Sequence, residues 1–258
     1  MRLSQGQLNL LQTCPPQFQR IYLDSLANPT SLEQLEKQNW GSQFHLLMQQ
    51  RELGLPLDSL LREDSQLNQA IDALLDATPE IWQQDNNIQR EAEHCRTLNF
   101  ENKIFTVIYD LLVIEDNKAR IIDWKTYLEP ENKAKLQSNW QTRLYLFVMA
   151  ETSSYLPEQI EMTYWFVKLP KKPKSVTFKY DRDRHERTRK DLIDLISQLD
   201  LYLQEYLDNN LPFPHLPNCQ ENCPYYKSIF AADLNQINPE VKDFELQKAI
   251  AEIEEISI

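Results

Sequence analysis

The sequence predicts an α/β fold: a central mixed β-sheet flanked by helices, with a helical addition ahead of it. Three observations carry this. Two runs rich in Ile, Val, Leu and Tyr, 103–116 and 118–128, meet at Asp116-Asn117, a pair suited to a tight hairpin turn. The stretch 132–153 then sets Leu136, Trp140, Leu144, Phe147 and Val148 at helical spacing. Two further strand-like runs, 159–169 and 174–180, lead into a long amphipathic helix over about 183–208.

The remaining elements follow in order. Residues 4–27 read as helix interrupted at Cys14-Pro15-Pro16, where proline suits a new first turn. Helices are expected over about 40–53 and 64–77, and the polar 80s read as a connection. Beyond the long helix come a Pro-rich segment with Cys219 and Cys223 and a final acidic helix from about 239. No internal repeat is visible.

Composition excludes several classes. Of 258 residues, 41% are hydrophobic and 10% aromatic, enough to bury a core and to exclude wholesale disorder. Gly6, Gly41 and Gly54 are the only glycines, so neither a Walker loop nor a dinucleotide fingerprint can be drawn. No apolar run reaches the roughly 18 residues of a membrane span, and no membrane partner is expected. The first residues lack a signal-peptide pattern. Four cysteines fit a reducing interior, and a cytoplasmic location is expected. The formal net charge of −12 argues against broad electrostatic binding to nucleic acid. Yet Lys and Arg concentrate between Lys168 and Lys190, either as a solvated surface or as a binding patch.

The sharpest constellation is Asp110, read as ending one strand, followed by Asp123-Trp124-Lys125 on the next. Alternation places Asp123 and Lys125 on one face and Trp124 on the other, and a short hairpin brings Asp110 alongside. Charges in such apolar strands need a partner or a metal. Either they form a structural Asp–Lys pair, or the carboxylates make an oxygen-rich site for Mg²⁺ or Mn²⁺ with lysine beside the attacking water.

With these residues in order, the chain resembles the RecB-like branch of the PD-(D/E)XK nucleases, including RecB and AddB nuclease domains and CRISPR-associated RecB-like exonucleases. The N-terminal helix with Cys14-Pro15, then Phe18 and Tyr22, resembles the family's opening segment, and Gly41-Ser42-Gln43-Phe44-His45 its histidine motif. Tyr109-Asp110, Ile122-Asp123-Trp124-Lys125 and Gln141-x-x-x-Tyr145 resemble the catalytic core and the helix after it. The resemblance implies a restriction-endonuclease-like core that hydrolyses DNA. His45, Asp110 and Asp123 would hold Mg²⁺ or Mn²⁺, Lys125 would act on the attacking water, Gln141 would support the site, and Tyr145 would pack or contact DNA. Glu91 or Glu93 would supply a further acid. Any helicase or repair partner would be a separate chain, because no helicase motif is present.

The resemblance also implies the organisation: one nuclease domain over 1–230 and an acidic helical tail over 231–258. Within the domain the parts are a helical stretch 1–90, a catalytic core 91–180, and a C-terminal helix with the cysteine segment 181–230. Many relatives pin their ends with a four-cysteine iron–sulfur cluster. Here Cys14, Cys219 and Cys223 match three positions, but the fourth falls near Ile229. The expectation is a lost cluster with the ends held by apolar packing. An altered cluster, or zinc on the three cysteines with His215, are the alternatives.

Overall fold

The computed structural model describes residues 1–26, 32–57, 65–82, 87–127, 132–168 and 172–217. The chain divides into two compact units: Met1–Ser4 with Leu35–Lys190, and Gln5–Gln34 with Asp191–Ile258.

The first unit holds a mixed sheet of β1 (Arg2–Leu3), β2 (Gln89–Phe100), β3 (Lys103–Glu115), β4 (Lys118–Lys125), β5 (Ile160–Phe166) and β6 (Lys174–Lys179). β2 runs antiparallel along almost all of β3. The other edge of β3 is shared. β1 pairs there in parallel at Ile104 and Phe105, and β4 pairs antiparallel from Leu111 to Glu115. The hairpin turn lies at Asp116 and Asn117, as the sequence predicts. β4 then pairs in parallel with β5, and β5 antiparallel with β6.

A parallel neighbour needs a crossover, and the stretch after β4 supplies it as two helices, α6 (Lys133–Ser138) and α7 (Trp140–Glu151). The sequence pattern reads as one helix. The break falls at Asn139, whose backbone is extended (ψ 140°) and whose side chain accepts a hydrogen bond from the Gln141 N–H at 2.7 Å. That N-cap starts a new helix two residues before Gln141.

The helices α3 (Leu32–Glu52), α4 (Ser65–Ala77) and α5 (Pro79–Trp82) precede the strands. Phe44, Leu47 and Met48 of α3 and Ile71 and Leu74 of α4 form one apolar cluster with Leu111, Val113, Ile122 and Trp124 of the sheet. Asp123 lies between the last two and faces the other way, towards α7. The strand β2 was not expected. Its residues, QREAEHCRTLNF, are half-buried or exposed throughout, so no apolar alternation marks them, and pairing with β3 decides their conformation.

In the second unit α1 (Gln5–Thr13) and α2 (Pro15–Phe18) are split at Cys14, as expected from the proline pair, and a π-helical turn follows over Gln19–Leu23. The later turns of α8 (Arg182–Asn209) and the segment after it belong here too. Phe213 stacks on Phe18 at 6.1 Å and meets Tyr202 and Tyr206, while its N–H donates to Gln19 Oε1 at 2.7 Å. The Tyr206 hydroxyl donates to Asp24 at 2.7 Å. Aromatic packing thus joins early and late segments of the chain. Cys219, Cys223, Tyr225, Tyr226, Ile229 and the 231–258 tail lie outside the described residues. Among the described residues no helix is long and apolar enough to cross a membrane.

Candidate active site

The site forms where β3 and β4 part. Their ladder runs to the pair Leu111↔Ile122 and goes no further, while β4 continues to Lys125 in register with β5. Beyond the last pair, the Asp110 carboxylate replaces the missing strand partner: its Oδ2 accepts from the Trp124 N–H at 2.6 Å. Asp110 is therefore within β3, not at its end.

The pleat of β3 is also interrupted here. Tyr109 packs on Tyr145 of α7, with rings 5.2 Å apart and its hydroxyl on the Tyr145 carbonyl at 3.0 Å. Leu111 instead belongs to the cluster with α3 and α4. Two residues apart on a regular strand would share a face, so the facing changes around Asp110. Opposite it on β2 stands Glu93, with a left-handed φ of 50°, a conformation non-glycine residues adopt at a cost of order 1–3 kcal/mol.

On the α7 side Asp123, Lys125 and Gln141 close a triangle. Asp123 Oδ1 is 2.9 Å from Lys125 Nζ, Asp123 Oδ2 accepts from Gln141 Nε2 at 2.6 Å, and Lys125 Nζ donates to Gln141 Oε1 at 2.7 Å. Lys125 also lies 5.0 Å over the Tyr164 ring. Asp123 is 3% exposed. Two of its neighbours are thus fixed by an ion pair and by a helix whose start the N-cap at Asn139 sets.

On the α3 side His45, Glu93 and Asp110 converge, with one ligand atom from each lying within 4.8 Å of the others. His45 Nδ1 is 3.3 Å from Asp110 Oδ1 and 4.0 Å from Glu93 Oε1. The two acidic candidates on β2 separate cleanly: Glu93 joins this group, and Glu91 pairs with His94. Asp123 is not in the three-residue group, since both its oxygens face Lys125 and Gln141; each oxygen retains a further lone pair.

Electrostatics mark a site short of positive charge. Burial alone would lower the pKa of His45, but Asp110, with Asp123 and Glu93 behind it, raises it to about 9. Burial, then Asp110, pushes Glu93 up to about 7 against the pull of His45. Burial also raises Asp123, opposed by Lys125. Carboxylates crowded in low dielectric hold protons more tightly. The oxygen-rich donor set with one imidazole nitrogen fits a hard divalent cation such as Mg²⁺ or Mn²⁺.

Comparison with known proteins agrees with this geometry. The family described as the PD-(D/E)XK nuclease superfamily matches residues 2–228. The chain belongs to the PD-(D/E)XK nuclease superfamily. Its mixed sheet with flanking helices is the restriction-endonuclease-like α/β fold of that superfamily. A Eubacterium rectale protein provisionally named an exonuclease shares the fold over 92% of this chain and 89% of its own, at 9% identity and a TM-score of 0.53. The crystal structure of SSO0001 aligns over 76% of this chain and 75% of its own at 15% identity, with a TM-score of 0.34, too distant to inform the site. No curated protein matches the sequence significantly.

In this superfamily member, the helix bearing His45 is held close by Gly41, one turn earlier. A Cβ at Gly41 would meet Thr126 Oγ1 at 2.9 Å, against a branched side chain just past β4. Gly41→Ala is expected to displace α3 and raise the metal concentration for half-maximal binding several-fold, measured by titration calorimetry. Tyr145 is 3% exposed, and its hydroxyl is hydrogen-bonded to Gln141. It packs behind Gln141, and its burial gives no support to a direct substrate contact. Cys14 is buried and in no disulfide. The other two cysteines of the expected set are outside the described residues. Glu93 could have been singled out only by the resemblance, since its position depends on a strand that the composition hides.

Proposed function

We propose that this protein is a divalent-metal-dependent deoxyribonuclease of the RecB-like branch. The observation that supports it is the convergence of His45, Glu93 and Asp110 on the parting of β3 and β4, beside the Asp123–Lys125–Gln141 triangle. His45, Glu93 and Asp110 would hold the cation, with Asp123 completing the set from the α7 side. When bound, Mg²⁺ or Mn²⁺ polarises the scissile phosphate and makes water a better nucleophile. Lys125 orients that water and stabilises charge developing on the phosphate. Gln141 fixes both Asp123 and Lys125, and Tyr145 fixes Gln141. The RecB-like assignment rests on the order of the motifs, and with it a role in DNA repair, recombination or defence beside a separate helicase.

The test is incubation of purified protein with labelled single-stranded DNA, duplex DNA and RNA, in Mn²⁺, in Mg²⁺ and in chelator. Metal-dependent cleavage of DNA is the expected result. Cleavage confined to RNA would replace the substrate, and binding without cleavage would make the chain a silent nuclease-fold module. His45→Ala should raise the Mn²⁺ needed for half-maximal cleavage about 10–100-fold, with partial rescue by excess metal, because the carboxylates remain. An unchanged titration would remove His45 from the ligand set. With Ile229 in place of a fourth cysteine, anaerobically purified protein should be colourless and carry negligible iron. About four irons per chain would show an intact cluster, and stoichiometric zinc would favour the three cysteines with His215.

A further inference from the structure

The basic segment noted in the sequence has a structural counterpart away from the carboxylates. Between the start of α7, the end of β6 and the first turns of α8 lies a cavity of about 80 Å³, lined by Thr142, Arg143, Phe178, Tyr180, Arg184 and Arg187 among others. Pockets that enclose drug-sized ligands run to roughly 300–1,000 Å³, so this one suits a single small group and not a nucleoside.

Its chemistry is that of an anion receptor. Three arginines line it in a chain whose net charge is −12. Arg184 is oriented by the Lys179 carbonyl and by Asp181, 3.2 Å from its Nε. Arg143 is held with its guanidinium 4.2 Å over the Trp140 ring, and its charge acts on the Tyr180 hydroxyl. Arg187 is exposed at the rim. Tyr180 and Thr188, both buried, supply hydroxyls hydrogen-bonded to one another. Lys133 adds a cation 5.7 Å from the Phe178 ring. The neighbouring acid Glu151 is taken up by Arg189 and His185, at 2.6 and 2.9 Å. Forked guanidinium donors on a small apolar floor match the oxygens of a phosphate group.

The place in the fold says which phosphate. Arg143 follows Gln141 by two residues on α7, a rise of about 3 Å, and its side chain leaves the helix on the side away from Gln141. Thr142, between them, lines the pocket and hydrogen-bonds the Tyr164 hydroxyl at 2.7 Å, and Lys125 Nζ lies over the same ring, 5.0 Å from its centroid. We propose that the Arg143–Arg184–Arg187 pocket binds a non-scissile backbone phosphate of the strand being cut, and so sets the register of that strand over the Asp123–Lys125 site. This rests on the nuclease reading above.

The experiment measures binding of fluorescent oligonucleotides to the full chain in chelator, as a function of KCl, for wild type, Arg143→Gln, Arg187→Gln and Arg187→Lys. Each neutral variant should lower the slope of log K against log salt by about 0.7–0.9, the amount one lost phosphate contact removes, while Arg187→Lys keeps the slope. Scanning a neutral methylphosphonate along the strand should find one position, away from the cut, where wild type loses affinity and Arg187→Gln does not. Slopes and scans unchanged in both neutral variants, with wild-type cleavage intact, would overturn the pocket while leaving the nuclease. Wild type that binds no oligonucleotide would instead overturn the nuclease reading itself. Inorganic phosphate that binds wild type, is lost in Arg187→Gln and never competes with oligonucleotide would also overturn the proposal, as a site for a free anion.

Discussion

Asp123→Asn is expected to lower phosphodiester cleavage by about 10²–10³-fold while leaving the protein folded. The substitution preserves shape and leaves an oxygen to accept from Gln141, so the packing that keeps residue 123 at 3% exposure is retained. What it removes is the charge facing Lys125 at 2.9 Å. Lys125→Met should be equally inactive but less stable, because it leaves a buried carboxylate without its cation, at about 3–5 kcal/mol. The double variant should therefore melt higher than Lys125→Met alone, a non-additivity that a double-mutant cycle measures directly. Activity within tenfold of wild type in Asp123→Asn would take this carboxylate out of the chemistry.

The second large effect is on metal affinity as pH changes. His45 holds its proton up to about 9 and Glu93 up to about 7, and both must lose it to ligate a cation. Protons thus compete with metal below those values. Apparent affinity for Mn²⁺ should rise by roughly tenfold per pH unit for each proton displaced: steepest below about pH 7, shallower to about pH 9, then flat. His45→Gln should abolish the upper portion, and Glu93→Gln should halve the slope of the lower one, leaving the single proton of His45. An affinity independent of pH between 6 and 9 would exclude both side chains from the ligand set.

Much of this was legible in the sequence, for identifiable reasons. Leu111–Val113 of β3 and Ile121–Trp124 of β4 are buried on both faces, so Ile, Leu and Val mark them, and Asp110, Asp123 and Lys125 stand out as charges within or beside those buried runs. The hairpin at Asp116-Asn117 and the break at the proline pair are local turn chemistry, which a sequence records directly. The start of α3 at Leu32 rather than near 40 was missed, because its first turns lack an apolar stripe. The strand β2 and the change of facing at Asp110 were missed because they come from pairing between distant segments. The split at Asn139 was written in the sequence as an N-cap residue, but the apolar spacing of 132–153 runs across it and masked it.

The Trp124 amide gives the parting of β3 and β4 an unexpected use. Its hydrogen is held by the Asp110 side chain and not by a neighbouring strand, so its exchange with solvent follows one carboxylate and not the unzipping of a ladder. Deuterium uptake at that position would report, at the level of one bond, how firmly Asp110 is anchored. Slowing on addition of Mn²⁺, against unchanged uptake across Leu111 to Glu115, would mean that the cation tightens a latch the sheet itself leaves open.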